Sequence, residues 1–148
     1  MDSPVLYSLD ADGIATITLN RPELRNPISD LDLIEALLDT LATMEDDPKV
    51  RVAILTGAGA AFSAGGNLKT MQPDSGGLNA SLPARTRRNY KSGIQRLPLA
   101  FAALDGLREH VCVLDEAGNI LYVNRAWRQF SQAHGGQPAL TEEGANYI

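Results

Sequence analysis

An α/β fold is predicted by three features of this 148-residue sequence. Two short strand-like runs are joined by an Asp–Gly turn. A long helix-periodic stripe follows them, and then comes a nearly continuous apolar run suited to a strand buried on both faces. The first strand is read at Val5–Leu9 and the second at residues 13–19, with Asp10-Ala11-Asp12-Gly13 as the hairpin turn. Residues 20–27 hold two prolines, which excludes regular helix and central strand. Ser29 precedes a stripe of Leu31, Ile34, Leu37, Leu38 and Leu41, whose three- and four-residue steps give a helix one apolar face. Asp30 and Asp32 lie in its first turn, where the helix dipole favours negative charge, and Asp46-Asp47-Pro48 ends it.

The apolar strand is read at residues 50–56, followed by a small-residue loop over 57–66, Gly-Ala-Gly-Ala-Ala-Phe-Ser-Ala-Gly-Gly. Residues 72–83, rich in Pro, Ser, Gly and Asn, read as a second loop. A helix is predicted over 85–104, with Pro98 inside it expected to kink or interrupt it. The runs 111–114 and 120–123, separated by the turn 115–119, predict a hairpin. Asn124 is placed to cap a helix over Arg125–Ala133, and Gly135-Gly136 stops that helix. The tail to Ile148 has no clear pattern, and there is no internal repeat.

Composition narrows the function. Hydrophobic residues make up 44% and charged residues 21%, the range of a water-soluble globular protein. A net charge of −5 argues against a general nucleic-acid surface, which needs a dense basic patch. The basic segment Arg85, Arg87, Arg88 and Lys91 is read as a solvated helix start, with a local anion site as the alternative. The single cysteine, Cys112, excludes an intrachain disulfide and reads as a small buried hydrophobe rather than a nucleophile. No apolar run approaches 18 residues and no signal peptide is seen, so the expectation is a cytoplasmic location without membrane contact. The two histidines, His110 and His134, are far apart, and no residues show metal-ligand spacing.

The chemistry concentrates in residues 57–69. A small-residue loop after a buried strand lets backbone N–H groups approach a ligand unobstructed. The dinucleotide and P-loop fingerprints are absent: no Gly-x-Gly-x-x-Gly opens a helix, and no Gly-Lys-Ser/Thr occurs. What stands is Thr56-Gly57 and then Phe62-Ser63-Ala64-Gly65-Gly66-Asn67-Leu68-Lys69.

That stretch resembles the motif around the first oxyanion-hole residue of the crotonase (enoyl-CoA hydratase/isomerase) superfamily. The resemblance extends through ITLNRPELRNPIS (residues 17–29), VRVAILTGAGAAFSAGGNLKTM (residues 50–71) and GIQRLPLAFAALD (residues 93–105), and covers about residues 5–105. It implies a truncated ClpP/crotonase-like ββα spiral core. It also implies an acyl-CoA thioester as substrate, with no separate cofactor or metal. In such a site two backbone N–H donors stabilise the anion that develops on the thioester carbonyl oxygen. By position the first donor is Gly66. Arg25, Asn26, Ala64 and Gly65 match segments around coenzyme A, and Lys69 and Arg25 would supply positive charge. The alternative is that Gly65 and Gly66 only satisfy a tight turn before a helix.

Past residue 105 the resemblance changes. The family's second glycine-rich turn and its acidic proton-transfer residues have no match; the chain continues as GLREHVCVLDEAGNILYVNRAWRQFSQAHGG (residues 106–136). This resembles the first hairpin and helices of a PAS sensor domain, carried by the Asp115–Gly118 turn, VNRAW (residues 123–127) and GANYI (residues 144–148). The expected organisation is therefore a partial crotonase-like domain over 1–105 and a partial PAS-like segment, hairpin and helix, over 106–148. Glu109 and Glu116 sit in no matching motif, Glu142 and Glu143 read as solvated, and no general acid or base is assigned. Three readings follow: an acyl-CoA protein with impaired catalysis, a non-catalytic binding or sensor module whose hairpin pairs with a partner or extends the sheet, and a chain without stable function. Apolar faces left uncovered on the Leu31–Leu41 stripe and the 50–55 strand would favour a homo-oligomer.

Overall fold

The computed structural model describes residues 3–73, 75–104, 110–114 and 119–146. Its centre is one five-stranded sheet in the order β1-β2-β3-β4-β5. Strands β1 (Val5–Leu9) and β2 (Ile14–Leu19) form the predicted antiparallel hairpin, with Tyr7 opposite Ile17. Asp10 closes the turn: its Oδ1 accepts from the Asp12 and Ile14 amides, each at 2.9 Å. Strand β3 (Val52–Gly57) runs parallel to β2 from Ile14↔Val52 to Leu19↔Gly57. The crossover between them contains a single 3-10 turn at Pro22–Leu24 and helix α1 (Leu31–Asp46).

Alternation along the strands sends Val5, Ala15, Ile17, Leu19, Ala53 and Leu55 to one face. There they meet Leu33, Ile34, Leu37, Leu41 and Met44 of α1, all 5% exposed or less. Burying a side chain of this size contributes roughly 1.5–3 kcal/mol each. The predicted uncovered stripe on α1 is thus a correction: the sheet itself covers it, and only Leu31, at the helix start, remains 47% exposed. Val52 and Ile54, on the opposite face of β3, are half-buried.

The helix expected over 85–104 is two helices, α2 (Pro83–Ser92) and α3 (Arg96–Leu104). The break falls at Gly93 rather than at Pro98. A Cβ on Gly93 would lie 2.8 Å from the Asn89 carbonyl and 3.1 Å from Leu78, so the chain turns where only glycine fits. Pro98 sits in the first turn of α3, where its missing N–H breaks no helical bond.

Strand β4 (His110–Leu114) pairs parallel to β3 through Val52↔His110 and Ala53↔Val111. It pairs antiparallel to β5 (Ile120–Val123), with an irregularity at Val113/Leu114. Most of the predicted 115–119 turn lies outside the described residues. Helix α4 (Arg125–Ala133) is capped as predicted: Asn124, 0% exposed, accepts from the Trp127 amide at 3.0 Å. The same Oδ1 also accepts from the Val111 amide at 3.0 Å, which ties the helix start to β4. Cys112, Ile120, Val123, Ala145 and Trp127 form a second small core. A four-residue helix, α5 (Pro138–Thr141), lies in the tail and is too short to leave a periodic signal.

Candidate functional site

The small-residue loop leaves β3 at Gly57 and is held from below by the 20–30 turn. Asn26 is the main clamp. It is 0% exposed and left-handed (φ 53°), a conformation asparagine tolerates better than most residues. Its Oδ1 accepts from the Arg21 amide at 2.8 Å, and its Nδ2 donates to the carbonyls of Ala58 at 2.9 Å and Ala61 at 2.8 Å. The Ser63 hydroxyl donates to the Asn26 carbonyl at 2.7 Å and accepts from the Gly65 amide at 3.0 Å. Backbone bonds add Ala64 N–H to the Arg25 carbonyl at 2.7 Å and Ile28 N–H to the Gly65 carbonyl at 2.9 Å. Further along, Ser29 Oγ accepts from the Asn67 amide at 2.8 Å, and the Asp30 carboxylate takes Asn67 Nδ2 at 2.9 Å and the Thr70 hydroxyl at 3.1 Å.

Among the described residues no acceptor takes the Gly66 N–H, and Gly66 is exposed. A Cβ there would lie 2.7 Å from Met71 Sδ, the movable part of a flexible side chain. Gly65 is left-handed (φ 82°) with open space where a Cβ would stand, so its conformation rather than crowding calls for glycine. Ala64, Arg25 and Lys69 are exposed, and the described residues give Arg25 and Lys69 no ion-pair partner. Arg25, Asn26, Ala64 and Gly65 are therefore brought together through backbone contacts. Asn26 differs from the others: each of its side-chain polar atoms is engaged with backbone, which leaves none for a ligand. Sequence reasoning read Ser29 as preceding the helix and Asp30 as lying in its first turn, whereas Asp30 stands at the N-cap; it did not read either, or Asn67 and Thr70, as fastening the loop's far end. Their signal was only a cluster of small polar residues in two turns.

Beside the loop lies a groove of about 280 Å³ lined by Leu31, residues 76–80, Arg85, Asn89 and Ser92. Its wall abuts the loop, since Asn79 Nδ2 donates to the Met71 carbonyl and Gly77 packs against Thr70. Arg85 thus borders the groove, whereas Arg87, Arg88 and Lys91 are exposed on α2. Gly66 is not among the groove's lining residues.

The other candidates separate from this site. Cys112 is 3% exposed, and burial, aided by the Glu143 charge, pushes its thiol up to about 11. Glu143 is not simply solvated. It pairs with Arg128 and accepts from the Val123 amide at 3.2 Å. Burial acts to raise its pKa, but its own amide, the Val123 amide and Arg128 outweigh that and hold it below the usual carboxylate value. Glu109 and Glu116 lie outside the described residues. Among the described residues no three His, Cys, Asp or Glu side chains gather to hold a metal, and no helix is long and apolar enough to cross a membrane.

A family model described as enoyl-CoA hydratase/isomerase matches residues 10–106, about two thirds of the chain. The chain is 52% identical over 58 residues to a hydroxycinnamoyl-CoA hydratase-lyase of Pseudomonas fluorescens, covering 39% of this chain and 21% of that protein. It is 36% identical over 85 residues to a 1,2-epoxyphenylacetyl-CoA isomerase of Escherichia coli, covering 57% and 32%. An enoyl-CoA hydratase structure from Mycobacterium smegmatis superposes with a TM-score of 0.60 at 29% identity, over 76% of this chain and 39% of that one. The chain thus spans about a fifth to a third of the length of these curated relatives.

Proposed function

The chain belongs to the enoyl-CoA hydratase/isomerase family, and from that premise we propose that it binds an acyl-CoA thioester with the Gly66 N–H directed at the thioester carbonyl oxygen. One observation carries the reading: Gly66 is exposed and its amide takes no acceptor among the described residues, while the amides on either side of it, Gly65 and Asn67, are bonded to Ser63 Oγ and Ser29 Oγ. An unspent donor on a pinned loop is preorganised for an oxyanion, because no reorganisation is needed as charge develops. Arg25 and Lys69, exposed on the two segments that the loop network joins, supply positive charge for the phosphates of coenzyme A. Asn26 holds the loop instead of touching the ligand.

Catalysis is impaired in this reading. The residues after 105 do not match the second oxyanion turn, and the Asp30 carboxylate is engaged by Asn67 and Thr70. Loss of one oxyanion donor costs about 10²–10³-fold in rate, and loss of general acid–base groups a further 10²–10⁴-fold or so.

The test is calorimetric titration with a saturated acyl-CoA, which cannot be hydrated, against wild type, Gly66→Ala and Gly66→Pro. Alanine keeps the N–H and displaces Met71; proline removes the N–H. The expected result is binding retained in Gly66→Ala and weakened about tenfold or more in Gly66→Pro, with both variants folded by circular dichroism. Equal affinity in both variants rejects Gly66 as the donor. The rate at which the conjugated thioester absorbance of an enoyl-CoA disappears measures the residual activity.

A second reading is a non-catalytic binding module, with the PAS-like segment 106–148 serving structure or a partner. The pairing of β4 with β3 favours it, because the hairpin is spent on extending the sheet. A monodisperse oligomer without acyl-CoA affinity would support this module over the thioester site.

A further inference from the structure

Helix α4 packs against β4, and its Trp127 joins the small core of Cys112, Ile120 and Val123. A cleft of about 550 Å³ opens between α4 and the starting ends of β2 and β3, within the range of small-molecule sites. Neither the loop network nor the acyl-CoA reading uses it.

Its wall is aromatic. Phe130 of α4 lies between two imidazoles, with the His110 ring 4.7 Å away at 47° and the His134 ring 4.1 Å away at 29°. Trp127 lines the same cleft, and its indole is fixed by donating Nε1–H to the Thr141 carbonyl at 2.7 Å. Phe130 remains 51% exposed. The floor is apolar, from Ile14 and Val52.

The lining also includes Arg51. Among the described residues its guanidinium has one hydrogen bond, a 3.4 Å contact from Nη1 to the Asp12 carbonyl, and no carboxylate within ion-pair distance. Among the described residues the titratable groups bordering the cleft are Arg51, Asp12, His110 and His134, with Asp12 the one acidic side chain. The lining thus combines aromatic rings with a guanidinium that has unused donors among the described residues, and such a fork favours a carboxylate held in bidentate fashion.

We propose that this cleft is a binding site for a planar aromatic carboxylate, with its ring against Trp127, Phe130 and His134 and its carboxylate on Arg51. The site is separate from the Gly66 loop and stands or falls independently of it.

The experiment is calorimetric titration of the full chain with 2-naphthoate, accompanied by the emission of Trp127, the sole tryptophan. Cyclohexanecarboxylate keeps the charge without the aromatic face, and 2-naphthalenemethanol keeps the face without the charge. 2-Naphthoate is expected to bind with a change in Trp127 emission, and each control to bind about tenfold more weakly or worse. Arg51→Gln should weaken 2-naphthoate by about tenfold, with Arg51→Lys intermediate because it keeps the charge and loses the fork. Phe130→Leu, at a half-exposed position, tests the ring without disturbing the core. No binding at millimolar 2-naphthoate by folded protein overturns the proposal. So does equal affinity for cyclohexanecarboxylate, or affinity unchanged by Arg51→Gln.

Discussion

Replacing Asn26 by alanine isolates what holds the glycine loop in place. The substitution removes three hydrogen bonds: one from the Arg21 amide, and one each to the Ala58 and Ala61 carbonyls. Each is worth about 1 kcal/mol net, and more where the backbone group left behind stays dry. Alanine must also hold the left-handed φ of 53°, which costs roughly a further 1 kcal/mol relative to asparagine. Destabilisation of about 4 kcal/mol follows. With a urea slope near ~2 kcal/mol/M, that moves the unfolding midpoint down by about 2 M. Equilibrium urea unfolding followed by circular dichroism measures it. Asn26→Asp sharpens the test, since it keeps the size but replaces Nδ2, which donates to both carbonyls, by a carboxylate oxygen facing them. The introduced carboxyl would be held neutral in the folded protein, so its folded pKa is raised above the ordinary ~3.9. Relative to wild type, that variant is therefore least destabilised at or below about pH 4 and loses further stability as pH rises from there towards the folded pKa. An alanine variant within about 0.5 kcal/mol of wild type, or an aspartate variant with no extra loss at neutral pH, would refute the role assigned to this side chain.

Three further outcomes are expected. Gly57→Ala places a Cβ against the Phe62 and Ala61 carbonyls and 2.7 Å from Asn26 Nδ2; a loss of about 1–3 kcal/mol in urea unfolding, with weaker acyl-CoA binding, is expected. Cys112, with its thiol pushed up to about 11 by burial and by the Glu143 charge, should resist alkylation at pH 8 in native protein and react once urea unfolds it, as mass spectrometry would record. Glu143 has a folded pKa below its ordinary 4.5, so its contribution is present above that value and is lost as pH falls through the folded pKa. Its side chain is 39% exposed, so Glu143→Gln should cost well under ~1 kcal/mol at pH 7, and the difference from wild type should vanish in acid melts.

The elements with strong periodicity or a chemical stop were legible in the sequence. Helix α1 announced itself through Ile34, Leu37 and Leu41, and Asp46-Asp47-Pro48 marked its end; α4 was given away by Asn124 at its cap. What escaped prediction depends on contacts distant in sequence. The break between α2 and α3 sits at Gly93 because Leu78 and the Asn89 carbonyl occupy the space a side chain would need. A local pattern gave the visible Pro98 more weight. The clamp formed by Asn26, Ser29 and Asp30 was equally hidden, since its partners lie 32–40 residues away. The composition of residues 57–66 revealed a loop whose backbone is open to a ligand, but not which neighbours hold it still.

The pairing of β4 explains why these two regions answer to different forces. Strand β3 is covered on one flank by β2 along its full length, from Val52 to Gly57. On the other flank β4 pairs only at Val52 and Ala53. The hairpin of β4 and β5 therefore steadies the start of β3, next to Arg51 and the aromatic cleft. It gives no ladder partner to the end of β3, where the glycine loop begins. That end must draw its rigidity from side chains, and Asn26 is buried beneath it. Among the described residues Asn26 and Arg51 share no hydrogen-bond partner, so substitutions at the two should act additively on stability. A coupling of about 1 kcal/mol or more in the double mutant would mean that the hairpin reaches the loop by a route other than the β3 ladder.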